Sequence, residues 1–127
     1  MELSSIRAVL SSISIIGLMA AGALVVTAFT ASPASANCSH YKRYADGGQY
    51  QVIRAGSTGL AYRTGPHTGC ALLGRIVNGD YVTAWCWDYG DEINGVPTWS
   101  YVSVPYFGDE GWVSDYYLAN QGANTVC

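Results

Sequence analysis

The side chains of this sequence that could do chemistry are four cysteines, two histidines, a scatter of carboxylates and a dense set of tyrosines and tryptophans. Every Cys, His, Tyr and Trp lies from Asn37 onward. Cys38, Cys70, Cys86 and Cys127 lack the Cys-x-x-Cys or paired-His spacing of a zinc site. They read as two disulfides, for which three connectivities exist. If the strands flanking a turn at Asn78–Asp80 pair, Cys70 folds back on Cys86. That pairing would leave Cys38 to Cys127, tying the two ends together. Asp88, Asp91 and Glu92 lack the alternating acidic pattern and terminal Glu of a calcium loop. They read as a solvated acidic loop within Asp88–Thr98, and Asp109-Glu110 reads as a hairpin tip. His40 sits in an N-terminal tail and His67 in a loop, both expected at the surface. No Ser–His–Asp set, paired-carboxylate cleft or free Cys nucleophile can be assembled from these spacings. The expectation is a protein that binds rather than catalyses, with no cofactor and no metal.

These residues must be positioned by what surrounds them. Residues 1–36 are of another kind. Arg7 precedes an apolar run from Ala8 to Phe29, and Ser32-Pro33-Ala34-Ser35-Ala36 follows. Ala34-x-Ala36 is the small-residue pattern of a signal-peptidase site, so cleavage after Ala36 and secretion are expected. The run is also long enough for an uncleaved anchor. Asn37–Cys127 then forms one domain of modest size, which in an oxidising compartment benefits from disulfides.

That domain carries Lys42, Arg43, Arg54, Arg63 and Arg75 against Asp46, Asp80, Asp88, Asp91, Glu92, Asp109, Glu110 and Asp115. A net negative domain without a basic cluster is poorly suited to nucleic acid or to an anionic membrane surface. The domain is expected to be a monomer. Low charge favours stacking over ionic contact, and hence binding that varies little with salt.

No helical period runs through the domain. Short β-branched and aromatic runs cut by glycine turns predict strands at Tyr50–Arg54, Leu60–Arg63, Ala71–Val77, Tyr81–Trp87, Trp99–Val104 and Gly111–Ser114. Asn78-Gly79 is the strongest hairpin signal. Strand alternation puts Val82, Ala84 and Cys86 on one face and Tyr81, Thr83, Trp85 and Trp87 on the other. Trp99 and Tyr101 likewise lie opposite Val102, and Trp112 lies opposite Val113. A small all-β barrel or sandwich of five to six strands follows.

The stretch from Leu60 to Thr68, with Arg63-Thr64-Gly65-Pro66 at its centre, resembles the opening motif of bacterial Src-homology-3-like domains. Leu72-Leu73-Gly74-Arg75-Ile76 with Gly79, Val82-Thr83-Ala84, Trp99-Ser100-Tyr101-Val102, and Gly111-Trp112-Val113 with Tyr117-Leu118 resemble the family's later motifs, in the family's order. The likeness spans about Tyr50–Leu118. It implies a compact β-barrel and a role in attaching to bacterial cell wall, peptidoglycan or peptides. The four cysteines and the acidic segment Asp88–Thr98 are additions to that pattern.

The binding surface expected from these readings is an aromatic groove. Tyr62, Trp85, Trp87, Tyr89, Trp99, Tyr101, Trp112 and Tyr116 would line it, with His67 at the rim, because rigid rings give large contact area at low entropic cost. The alternative is a small disulfide-bonded inhibitor or effector that presents Asp88–Thr98 or Ser103–Gly111 to another extracellular protein.

Overall fold

The computed structural model describes residues 37–127 apart from Phe107. The segment Met1–Ala36, with its expected cleavage site, lies outside the described residues. The domain is all-β. Six strands, β1 (Gly48–Gln51), β2 (Leu60–Arg63), β3 (Leu72–Ile76), β4 (Tyr81–Ile93), β5 (Val96–Ser103) and β6 (Glu110–Ser114), form one curled antiparallel sheet in the order β1-β4-β5-β6-β2-β3. Two single-turn 3-10 helices, Asp115–Tyr117 and Ala119–Gln121, follow β6. No helix among the described residues is long and apolar enough to cross a membrane.

The largest departure from the sequence reading is the acidic segment. Asp88–Thr98 is no loop but the outer half of a long hairpin. β4 runs unbroken to Ile93, and β5 starts at Val96. Asn94 and Gly95 between them have φ of 49° and 87°, the paired positive values that a two-residue primed turn requires. The hairpin expected at Asn78-Gly79 does not form. Its flanking strands diverge, since β3 pairs with β2 while β4 pairs with β1 and β5. Gly79 N–H instead donates to Val52 and Asp80 N–H to Val77, making a corner between two parts of the sheet.

The sheet buries two faces. Val52, Leu60, Tyr62, Ile76, Val82, Ala84, Val102, Val104, Val113 and Leu118 fill the concave aliphatic core. Cys86, Trp99, Tyr101 and Trp112 make a second, aromatic cluster. Alternation along β4 holds only as far as Ala84. The register with β5 slips between Ala84 and Cys86, and the extra residue of this bulge, Trp85, reverses the phase. Cys86 therefore joins the aromatic face, whereas Trp87 packs against the aliphatic core.

The disulfides are Cys38–Cys70 and Cys86–Cys127, not the expected Cys70–Cys86 and Cys38–Cys127. The expected pairing assumed that β3 and β4 are neighbours. Cys70 instead meets the N-terminal segment at Gly65, where a Cβ would lie 2.5 Å from the Cys38 Cα and 2.8 Å from the Cys70 Sγ. The C-terminal tail pairs with β4 through Trp87 N–H to Thr125 and Cys127 N–H to Trp87, which delivers Cys127 to Cys86.

Among the described residues Asp115 is the one buried carboxylate. It accepts a 2.6 Å bond from Ser100 Oγ, whose oxygen also accepts from Ala123 N–H. Burial pushes its carboxyl up to about 6.

Two outcomes are expected. A peptide map of the oxidised protein should yield Cys38 joined to Cys70 and Cys86 joined to Cys127. Each bridge closes a loop worth roughly 4 kcal/mol of unfolded-state entropy, so reducing either should lower Tm sharply. A map showing Cys70 joined to Cys86 contradicts the fold. The second outcome concerns acid. The folded Asp115 carboxyl keeps its proton to about pH 6, whereas an unfolded one releases it near pH 4. This group's contribution therefore falls as pH rises from about 4 to 6, by about 3 kcal/mol, and then levels off. Denaturant titrations of Asp115→Asn should show that decline removed.

Candidate functional site

The aromatic residues expected at a groove are mostly interior. Trp99, Tyr101 and Trp112 are 3%, 6% and 1% exposed, and Tyr62 is 3% exposed. Cross-strand pairing places Tyr101 beside Trp112 and Cys86 beside Tyr101. What covers Tyr101 and Trp112 is the segment Cys38–Asp46. His40 meets the Trp112 ring edge-on at 5.8 Å, Tyr44 meets Trp85 at 5.1 Å, and Lys42 Nζ lies 5.0 Å over Tyr101. Trp99, Tyr101 and Trp112 do converge on one face, and the partner that hides Tyr101 and Trp112 is intramolecular. The other expected groove residues are elsewhere. Tyr62 belongs to the aliphatic core and donates its OH to Asp109. Trp87 and Tyr89 meet edge-to-face, with Tyr89 62% exposed. Tyr116 meets Tyr117 edge-to-face and lies beneath Arg54. Trp85 donates its indole N–H to Ser103.

At the far end of the covering segment lies Glu110, the second residue of the expected hairpin tip. It is the first residue of β6 and the acceptor of a network. Tyr101 and Tyr44 donate to Oε1 at 2.6 and 2.7 Å, and Ser103 donates to Oε2. Burial alone would raise Glu110, but these donors and the Lys42 charge hold it below the usual carboxylate range.

Two places on this architecture could act on something outside the protein. The first is a cleft of about 330 Å³. Ala61 and Arg63 of β2, Arg75 of β3, Trp99 of β5 and Ser114 of β6 line it, with Arg54, Thr58, Thr68, Ile93 and Tyr117 around them. Three of the domain's five basic residues thus face one cavity of an acidic domain. Their hydrogen bonds go to backbone carbonyls: Arg54 to Tyr116, Arg63 to Cys70, Arg75 to Gly59. Among the described residues none of the three is in an ion pair with a carboxylate. The three guanidinium groups are thus held, among the described residues, by backbone carbonyls rather than by carboxylates.

The second place is a pair of imidazoles. His40 Nδ1 is 2.8 Å from Asp88 Oδ2 and His67 Nδ1 is 2.8 Å from Asp91 Oδ1. The two Nε2 atoms are 3.4 Å apart. Asp91 Oδ2 also accepts from Thr68 N–H and Oγ1. The His67 and Thr68 donors hold the Asp91 carboxyl below its ordinary value. The loop carrying His67 lies flat on β4 because residue 90 is glycine. A Cβ there would sit within 1.8 Å of the Pro66 carbonyl oxygen, which accepts from Asp91 N–H. Among the described residues no group of three or more His, Cys, Asp or Glu side chains could hold a metal ion.

Sequence reasoning placed His67 at a rim but left His40 in a tail and the arginines unassigned. The arginine cleft had a signal, since 54, 63 and 75 bracket two strands that a hairpin would align. The His40–His67 meeting had none, because it depends on a disulfide whose pairing was open. No family model matches the chain, and no curated protein matches it in sequence.

If the aromatic layer is interior, truncating it unfolds the domain. Trp99→Ala should cost about 3–5 kcal/mol by chemical denaturation. Tyr89→Ala, on the surface, should change stability by less than about 0.5 kcal/mol. Equal, small effects for both would return Trp99 to the surface.

Proposed function

We propose that this is a secreted binding module, akin to bacterial Src-homology-3-like domains, that takes a carboxylate-bearing, peptide-like segment of cell-wall material. The observation that carries the reading is the Arg54–Arg63–Arg75 cleft, cationic and, among the described residues, without a carboxylate ion pair, in an otherwise acidic domain. A planar guanidinium fork matches a carboxylate in two hydrogen bonds, and Trp99 and Tyr117 give the same cleft apolar wall. Peptidoglycan stem peptides combine free carboxylates with short apolar side chains, which is the chemistry such a cleft selects. The family resemblance of Arg63-Thr64-Gly65-Pro66 and the later motifs supports the same assignment, and the export-type N-terminus and two disulfides suit an extracellular setting. The proposed mode of binding differs from the expected stacking groove, because Tyr101 and Trp112 are covered and guanidinium groups line the open cavity. Salt should therefore matter.

A second reading keeps one supporting observation. The outer β4–β5 hairpin, from Asp88 to Thr98, is a paired ribbon with an exposed turn at Asn94-Gly95, a shape suited to insertion into another extracellular protein's site. An inhibitor of that kind would stay in solution and co-purify with one protein.

Sedimentation with insoluble peptidoglycan tests the first reading. Binding should fall steeply as salt rises from about 0.05 to 0.5 M, since a screened pair loses most of its attraction over that range. Arg54→Ala and Arg75→Ala, both at exposed positions, should each weaken it about tenfold, the scale of one charged hydrogen bond, with Tm unchanged. Retention that is indifferent to salt and to both substitutions would remove the cleft as the site.

A further inference from the structure

His40 and His67 are the two histidines of the chain, and the fold brings them ring to ring from 27 residues apart. Each ring has its Nδ1 at 2.8 Å from a carboxylate oxygen. An ionised carboxylate only accepts, so each Nδ1 carries the hydrogen, and in the neutral imidazole Nε2 then carries the lone pair. The two Nε2 atoms are the ones that face each other, at 3.4 Å. Two nitrogen lone pairs this close repel unless something positive lies between them. Two imidazole nitrogens on a tetrahedral zinc ion, each about 2.0–2.1 Å from the metal, are separated by about 3.3 Å. The spacing is that of two ligands on one ion.

The groups behind the rings have the matching character. Histidines that bind metals hand their other N–H to a carboxylate, which fixes the tautomer and raises the basicity of the ligating nitrogen. Asp88 and Asp91 do this for His40 and His67, and both are themselves held. Asp88 Oδ1 accepts from Tyr89 N–H, and Asp91 Oδ2 accepts from Thr68. The rings come from two segments joined by Cys38–Cys70, and both remain partly open to solvent.

We propose that His40 and His67 bind a divalent transition-metal ion of borderline softness, Zn2+ or Cu2+, through their Nε2 atoms. The protein supplies two ligands. The remaining positions belong to water or to an oxygen of a bound molecule, so the ion is exchangeable and does not hold up the fold. Imidazole donors of this kind select zinc and copper over magnesium and calcium.

The experiment is a Zn2+ titration of the purified, fully oxidised protein, followed by calorimetry and by the proton resonances of the two imidazoles. One ion per chain should bind at sub-millimolar concentration, and both rings should respond together. Mg2+ should produce neither signal. His40→Gln and His67→Gln should each abolish uptake. Asp88→Asn and Asp91→Asn, which leave both ligands in place, should weaken it about 10–100-fold. Near-UV circular dichroism checks that each variant folds. Should a histidine variant not fold, the native resonances and Asp88→Asn decide the matter. Two results overturn the proposal. One is uptake that persists when both histidines are glutamine. The other is a native protein whose rings ignore Zn2+, in which case a shared proton occupies the gap.

Discussion

The structure depends on one constraint: a six-stranded sheet that is apolar on both faces has to be covered on both. Curling hides the aliphatic face around Val82, Val102 and Val113. It cannot hide Trp99, Tyr101 and Trp112, which project the other way. Each such ring removes about 150–250 Å² from water when covered, and a patch of several would otherwise be sticky. The cover over Tyr101 and Trp112 is the segment before β1, which has no strand structure of its own. It is fixed at one end by Cys38–Cys70 and at the other by backbone bonds from Ala45 and Asp46 to Trp85 and from Gly47 to Ala84. In between, Tyr44 reaches the Glu110 carboxylate.

That anchoring explains where the ionisable groups went. Asp46 accepts from Tyr50 OH and from Asn124 N–H, tying the covering segment to β1 and to the C-terminal tail at once. Burial, together with the bond to Asp46, pushes the Tyr50 phenol up to about 12. Burial and Glu110 raise Tyr101 in the same way. These carboxylates are engaged as acceptors for phenols at the seams of the domain. An acidic composition thus coexists with a cationic cleft. Several acids are used internally, while three arginines turn their charge outward.

Much of the strand pattern was legible because it rests on local chemistry. Leu60–Arg63 was delimited to the residue, and β3 and β6 nearly so, by β-branched and aromatic runs ending in glycine turns. The convergence of Trp99, Tyr101 and Trp112 on one face follows from alternation once β5 and β6 are neighbours. What could not be read was whatever depends on partners distant in sequence. Asn78-Gly79 and Asn94-Gly95 carry the same local signal, yet only the second closes a hairpin, because only there do the flanking strands find each other. The acidic residues of Asp88–Glu92 concealed a strand, since polarity there reflects an exposed ribbon rather than a loop. The bulge at Trp85 has no clear local signature, and it moved Cys86 to the other face. Exposure of the rings was unreadable for a similar reason. Period-two alternation says which way a side chain points, not what lies above it, and the cover came from a segment that looked like a tail.

The Arg63-Thr64-Gly65-Pro66 motif shows how local pattern and distant geometry combine at the site. Arg63 pairs across the sheet with Trp112 and opens into the cleft. Thr64 N–H bonds the Ala71 carbonyl and closes the loop. Gly65 leaves room for the Cys38–Cys70 bridge, and the Pro66 carbonyl docks on β4 over Gly90. His67 then has little freedom. Its loop is pinned on one side by the disulfide and on the other by the backbone of Asp91, whose side chain holds the ring. Thr68, the next residue, bonds the same carboxylate and lines the arginine cleft. Cleft and imidazole pair are therefore built on one rigid corner. Side chains held by packing and by outer hydrogen bonds keep their geometry in the unliganded state. On the proposed reading, an ion or anion arriving there would find its ligands already ordered.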